Sequence, residues 1–377
     1  MTLIWPATEL DIEVTKPRLH ALIIGVADYP HLNGGDSTRL AADPLGLSQI
    51  TTPRYTAPAI SDWLRTSYKN PTCELGSIEV LVSPSSPINS PTGSVQAEAA
   101  TKQNIKNAFN MWEKRCSKQA DNIAFFYFCG HGLSKTDQFL LPENFGDPSS
   151  PNQWDNCINF SGMRVGMRKC AAQTQLFFVD ACRETPFGVL TALNVSGDSL
   201  ITASITDTVS CSAAYYATAN GKQAFGPDKD VSYFGQALVS CLGGVAALDS
   251  MGKWVVDTYS LGNALGQVMA QFARRYKQPL SCNPDPNGMA LIHEAESPKV
   301  VVSIECSSQP ATDVSEIVLT QSPITIRSAP GQPKPIIEEV SAGDWFIDVL
   351  FPGGEFPSVS GMKKTFTPPV YRGVPIP

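Results

Sequence analysis

The sequence predicts an α/β protein: a mostly parallel sheet flanked by helices, followed by a small all-β, sandwich-like domain. Three observations carry that expectation. Strand-like and helix-like segments alternate from 19 to 275, the pattern of parallel strands joined by helical crossovers. Two runs, Phe125-Phe126-Tyr127-Phe128 and Leu176-Phe177-Phe178-Val179, are apolar without alternation, as strands buried on both faces are. Past Glu296-Ser297-Pro298 the alternation gives way to short strands about 10 residues apart, punctuated by Gln-Pro and Pro-Gly-Gly turns.

In chain order, strands are expected at 20–26, 78–82, 123–128, 176–180, 208–212 and 254–257, all short apolar or β-branched runs. Helices fill the gaps at 57–68, 101–117, 162–172, 233–242 and 260–276. Thr101 opens its helix as an N-cap, and Ile105, Ala108, Phe109 and Trp112 follow at helical spacing. Segment 83–96, rich in Ser and Pro, reads as a surface loop, and so does 184–207, which lacks apolar periodicity. Beyond the boundary the strands are 300–304, 316–320, 324–327, 336–340 and 345–350, with too many prolines for a helix bundle. The domain reading is an N-terminal extension over 1–18, an α/β domain over 19–296 and a β domain over 297–377.

Composition excludes several classes. The 377 residues are 42% hydrophobic and 17% charged, ample for a core and long enough for two domains. A net charge of −7 offers no basic surface for nucleic acid. No apolar run approaches the roughly 20 residues that cross a bilayer, and the polar, Pro-containing start does not read as a signal peptide. Ten cysteines occur singly, with no Cys-x-x-Cys pair and no metal-ligand spacing. Reduced thiols in the cytoplasm are expected, with no cofactor and no metal.

The two apolar runs end in Gly130-His131-Gly132 and Asp180-Ala181-Cys182-Arg183. Open α/β sheets place their sites at the carboxyl ends of parallel strands, so one strand delivers an imidazole to that edge and the other a thiol. They lie 51 residues apart, room for one right-handed crossover between neighbouring strands. An unassisted thiol is only a few per cent thiolate at neutral pH, and an adjacent imidazole is the minimal base that activates it for acyl transfer. Cys182 is therefore the expected nucleophile and His131 its base, with protein substrates the expected partners. Cys129, two positions before the histidine, is expected to be an inert buried thiol.

An apolar strand ending in Gly-His-Gly, then about 50 residues later one ending in Asp-x-Cys-Arg, resembles the caspase-like peptidases: caspases, paracaspases, metacaspases and their bacterial relatives. Other segments extend the likeness. Ala21-Leu22-Ile23-Ile24-Gly25-Val26 is similar to the family's first strand, Ala59-Ile60-Ser61-Asp62-Trp63-Leu64 to its first helix, and 77–82 to its second strand. Ser232-Tyr233-Phe234-Gly235-Gln236-Ala237-Leu238 resembles the start of the small-subunit helix. The likeness spans about 19–295. It implies a caspase-like fold, a Cys182–His131 dyad, and an oxyanion hole made by the backbone N–H groups of Gly132 and Cys182.

The resemblance also bears on specificity. In metacaspases and paracaspases an aspartate two residues before the nucleophile receives Arg or Lys, whereas caspases cutting after Asp carry glutamine there. Asp180 holds this position, which implies cleavage after a basic residue. A second acid of the basic-specific relatives has no match, because the corresponding position is Thr56. Asp43 or Asp36, in the insertion between Pro30 and Gln49, is the expected substitute. Arg39, in Ser37-Thr38-Arg39-Leu40, is faintly similar to the arginine loop of Asp-cutting caspases and keeps that alternative open. So do a catalytically silent scaffold, a related amidase, and an adaptor acting through 297–377. No carboxylate cluster has calcium-loop spacing. A protease with basic preference needs restraint, and the next basic residue after Arg183 is Lys222. Self-cleavage within 184–207 is therefore not expected, and activation should come from another protease, a partner, or cuts near Lys222 or Lys229.

Overall fold

The computed structural model describes residues 2–6, 15–186, 188–189, 195–203, 207–218, 226–332 and 336–373. Lys222, part of 184–207 and much of 1–18 lie outside the described residues. Two compact units divide the chain, one formed by Met1–Gln236 with Cys282–Ala290, the other by Ala237–Ser281 with Leu291–Pro377.

The first unit is built on a seven-stranded sheet. Its strands are β1 (Leu3–Trp5), β2 (Arg18–Val26), β3 (Glu74–Ser83), β4 (Ile123–Gly130), β5 (Thr174–Ala181), β6 (Cys211–Tyr216) and β7 (Asn283–Asn287). In space they run β1-β3-β2-β4-β5-β6-β7. The five inner strands are parallel, and the edges β1 and β7 are antiparallel to their neighbours. β7 contains Pro284 and Pro286, residues that lack an N–H and are confined to sheet edges.

Helices α1 (Pro53–Ser67), α2 (Lys102–Cys116) and α3 (Phe160–Gly166) connect these strands. Thr101 caps α2, its side chain accepting from Asn104 N at 3.3 Å. Ile105, Ala108, Phe109 and Trp112 then pack with Leu22, Ile24, Phe126, Phe128, Phe177 and Val179 in one core. Because side chains alternate across a sheet, Phe125, Tyr127 and Cys129 of β4, with Phe178 and Asp180 of β5, face the opposite side. On β2, Gly25 is required by close approach to α1, since a Cβ there would lie 2.6 Å from Pro53 O.

Several local expectations shift. The strand expected at 208–212 begins only at Cys211, because Thr208 Oγ1 donates to Cys170 O and Ser210 N to Gln173 O. Helix 162–172 starts at Phe160, capped by Asn159, and tightens into a 3-10 turn at Met167–Lys169. Segment 83–96 is not wholly loop: Pro87–Ser90 and Gly93–Gln96 form a hairpin. Strand Lys253–Asp257 does not join the central sheet but pairs antiparallel with Leu248–Ser250 and Leu291–Ala295.

One buried polar cluster yields a pH prediction. Ser77 Oγ accepts from Arg115 Nε at 3.0 Å and shares a 2.8 Å hydrogen bond with His20 Nδ1. Burial first, then the Arg115 and Arg18 charges, lowers the His20 pKa from 6.5 to about 3. The folded state therefore keeps His20 neutral where the unfolded chain protonates it. Its contribution is fully present above pH 6.5 and is lost as pH falls toward 3, by at most about 1.4 kcal/mol per pH unit. Urea unfolding of His20→Asn at pH 7 and pH 4.5 should show a weaker loss of stability on acidification than wild type. An equal loss would show that other groups dominate.

In the second unit, helix Thr258–Tyr276 begins at a capping box formed by Asp257 and Ser260. Beside that helix and the three-stranded sheet of Leu248–Ser250, Lys253–Asp257 and Leu291–Ala295, the unit holds a sandwich of two sheets. One has the order Ile336–Ser341, Lys299–Ile304, Val370–Arg372, and the other Ile324–Ser328, Glu316–Gln321, Gly343–Leu350, Val359–Phe366. Val300, Val302 and Ile304 from the first share a core with Ile317, Leu319, Trp345, Ile347 and Val349 from the second. The sequence reading missed the last two strands and the short helix Gln309–Val314, which Ser308 caps and whose Pro310 sits in the first turn, where no N–H is needed. No helix among the described residues is long and apolar enough to cross a membrane.

Candidate active site

Parallel pairing of β4 with β5 sets Asp180 opposite Cys129 and Ala181 opposite Gly130. His131 and Cys182 follow directly on the two strands. By the two-residue alternation, Tyr127, Cys129 and His131 share a face with Phe178, Asp180 and Cys182. A cavity of about 370 Å³ opens at this sheet edge, lined by His131, Cys182, Asp180, Cys129, Ser232 and Asp228, among others. The structure thus brings His131, Cys182 and Asp180 into one cavity.

His131 is held on three sides and is only 9% exposed. Its Nε2 lies 2.6 Å from Ser48 O. A carbonyl can only accept, so Nε2 carries the proton and Nδ1 is the basic nitrogen of the neutral ring. The Tyr29 ring packs against the imidazole with centroids 4.8 Å apart. The Tyr29 hydroxyl accepts from His131 N at 2.7 Å and donates to Leu141 O at 3.2 Å. Gln49 in turn clamps the Tyr29 main chain, accepting from its N at 2.8 Å and donating to its O at 2.9 Å. Burial lowers the His131 pKa, only partly offset by the Ser48 carbonyl, so the ring is neutral at pH 7 and able to take a proton.

Gly132 opens the short strand Gly132–Ser134, paired with Gln138–Leu140. Leu141 N donates to His131 O at 3.0 Å. By the alternation of antiparallel pairs, the Gly132 N–H points away from the hairpin partner. The position demands glycine through close approach, not through a turn: a Cβ would lie 2.7 Å from Cys182 O and 2.9 Å from Ala181 Cβ.

Asp180 forms the cavity's acidic floor and is 4% exposed. Its Oδ2 accepts from Tyr127 OH at 2.9 Å, from Cys129 Sγ at 3.3 Å and from the Ser232 hydroxyl. Burial raises its pKa, and the three donors oppose the shift. Cys129 is pushed well up by burial and then by Asp180, which keeps it a thiol and a donor. Thr56 is buried beside the site, and its Oγ1 accepts from Ser232 N at 2.9 Å, supporting the serine that caps Asp180.

Asp43 and Arg39 do not line this cavity. Asp43 Oδ1 caps its own turn, accepting from Leu45 N at 2.9 Å, and the Arg39 carbonyl accepts from His31 Nδ1 at 2.9 Å. Asp36 is likewise exposed and lies outside the lining. The insertion 30–49 reaches the site through main-chain and amide groups of Ser48 and Gln49. The second carboxylate at the cavity comes instead from Asp228, which accepts from Thr51 Oγ1 at 3.1 Å. Sequence reasoning missed Tyr29, Ser48, Tyr127, Ser232 and Asp228. A signal existed for one of these: Tyr127 breaks an all-Phe run at the parity of Cys129 and His131.

The family model described as Caspase domain matches residues 18–282. The uncharacterized protein y4kE of Sinorhizobium fredii (strain NBRC 101917 / NGR234) is 27% identical over 236 residues, covering 56% of this chain. The alignment spans 66% of that protein's length, a little under two thirds. Among solved structures, caspase-1 from Spodoptera frugiperda matches with a TM-score of 0.41 and 14% identity, over 75% of this chain and 92% of its own.

Proposed function

The chain belongs to the caspase-domain family of cysteine peptidases, and from that premise we propose that it is an endopeptidase cleaving after Arg or Lys with Cys182 as nucleophile and His131 as base. The observation that carries the reading is the cavity's inventory: an imidazole, two thiols and two carboxylates, with no Lys or Arg among the described residues lining it. Such a cavity attracts a cationic side chain and disfavours an acidic one.

In the proposed mechanism, Nδ1 of His131 takes the Cys182 proton while Nε2–H stays bonded to Ser48 O. The thiolate attacks the scissile carbonyl carbon, and the oxygen gains charge facing the N–H groups of Gly132 and Cys182. Each such donor typically stabilises the transition state by about 3 kcal/mol. The imidazolium then protonates the leaving amine, and water hydrolyses the thioester with His131 again as base. Asp180 at the floor and Asp228 at the rim hold the substrate cation. The ten cysteines are free thiols, in keeping with a reducing cytoplasm.

We further propose that the enzyme is latent until another protease or a partner acts on it. No Lys or Arg occurs between Arg183 and Lys222, so the segment after the nucleophile offers no site for self-processing under basic specificity. Profiling a peptide library with the purified chain, and sequencing any new N-termini formed on incubation, tests both points. The expected result is Arg or Lys before the cut and no termini within 184–207. Enrichment of Asp before the cut, or efficient self-cleavage in that segment, would overturn the specificity.

A further inference from the structure

Cys182 lies one residue past the end of β5, where the sheet ladder no longer holds the main chain. Its carbonyl is held instead by a side chain. Gln138, 4% exposed and on the strand opposite Gly132–Ser134, donates from Nε2 to Cys182 O at 3.0 Å. The same amide accepts from Arg183 Nε at 3.1 Å, and the Arg183 guanidinium lies over the Tyr216 ring at 4.1 Å. Gln138 is itself anchored, since its backbone N–H donates to Ser161 Oγ at 3.0 Å. A Cβ on Gly132 would meet Cys182 O at 2.7 Å and Gln138 Nε2 at 3.0 Å. The amide, the nucleophile's carbonyl and Gly132 therefore converge on one point.

We propose that Gln138 is a positioning residue for the nucleophile, fixing the Cys182 main chain so that the Cys182 and Gly132 N–H groups face the developing oxyanion; the inference rests on the peptidase reading above. With its carbonyl unheld, Cys182 would keep both backbone dihedrals free past the end of the strand, and its N–H, on the other side of the same Cα, would lose its aim. A buried amide that donates to Cys182 O while accepting from the Arg183 guanidinium restrains the peptide unit after Cys182 and is itself held from the other side. Nothing in the role requires Gln138 to touch substrate.

The test compares Gln138→Glu with Gln138→Leu in the full chain. Glutamate keeps the size and the acceptor for Arg183 but, ionised beside that guanidinium, cannot donate to Cys182 O. Leucine loses both bonds. Two rates are read on each protein: turnover of an Arg-ending peptide amide, and alkylation of Cys182 by iodoacetamide, corrected with Cys182→Ala. Iodide displacement develops no oxyanion, so it reports the thiol without the hole. The expected result is a loss of roughly 10- to 100-fold in kcat for both variants, with KM and the alkylation rate within about twofold of wild type. Wild-type turnover by Gln138→Glu would overturn the proposal and assign the residue to Arg183 alone. Alkylation falling in step with kcat would also overturn it, because the defect would then lie in the thiol or the fold. If wild type shows no Cys182-dependent turnover, the peptidase reading falls and takes this role with it; if wild type turns over and both variants match it, only the role of Gln138 falls.

Discussion

Cys182→Ala and His131→Ala are each expected to lower peptide hydrolysis by at least about a thousandfold, and the double variant by little more. The reason is that a thiol without its base and a base without its thiol leave the same residual chemistry. Neither change should unfold the protein. Cys182 is only partly buried, and alanine at 131 gives up one hydrogen bond to Ser48 O and one ring contact with Tyr29 while Tyr29 itself stays packed in the main core. Cys129→Ala is the control: its thiol is buried and held protonated beside Asp180, so turnover should fall far less than with Cys182→Ala. Initial rates on one fluorogenic Arg peptide, with thermal midpoints for each variant, decide the matter. Near-wild-type turnover by Cys182→Ala would require another nucleophile.

Asp180→Asn should be the second large effect, and it should be selective. Asparagine keeps an oxygen able to accept from Tyr127, Ser232 and Cys129 while removing the charge, so the fold is spared more than with alanine. Burying a guanidinium without its counter-charge typically costs about 3 kcal/mol or more, roughly a hundredfold in kcat/KM for Arg substrates. Peptides with a neutral residue before the cut should change by only a few-fold. Asp228→Asn should act in the same direction but more weakly, because Asp228 is exposed and solvent screens its charge. Equal losses on basic and neutral peptides would mean that Asp180 serves the architecture of the floor and not recognition.

Much of the fold and part of the site are legible in the amino-acid sequence alone. The strands carrying His131 and Cys182 are short, apolar throughout and end in residues that stop a strand, and local composition specifies such features. Thr101 and the apolar stripe from Ile105 to Trp112 specify α2 in the same way. The adjacency of the two strands follows from the connection rule for parallel strands, and the observed register adds only which pairs stand opposite. Gly132 after His131 and Asp180 before Cys182 stand beside these strand ends, and the family resemblance makes them candidates without any tertiary information.

Only the tertiary structure decided what reaches the site from far along the chain. Ser48 acts through its carbonyl, a group every residue carries, so no side-chain pattern can announce it. Tyr29 meets His131 across 102 positions through a hydrogen bond and a ring contact, while Ser232 meets Asp180 across 52 and Gln138 meets Cys182 across 44 through one hydrogen bond each, and none of these leaves a periodic trace. The choice among acids shows the limit most clearly. Asp36, Asp43 and Asp228 are alike in composition and exposure, and loop geometry brings only Asp228 to the cavity rim, tied there by Thr51. Short-range pattern determines which strands form and what they carry at their ends. The packing of distant loops determines which polar groups surround them, because that packing depends on contacts whose partners are fixed by the fold and not by neighbours in sequence.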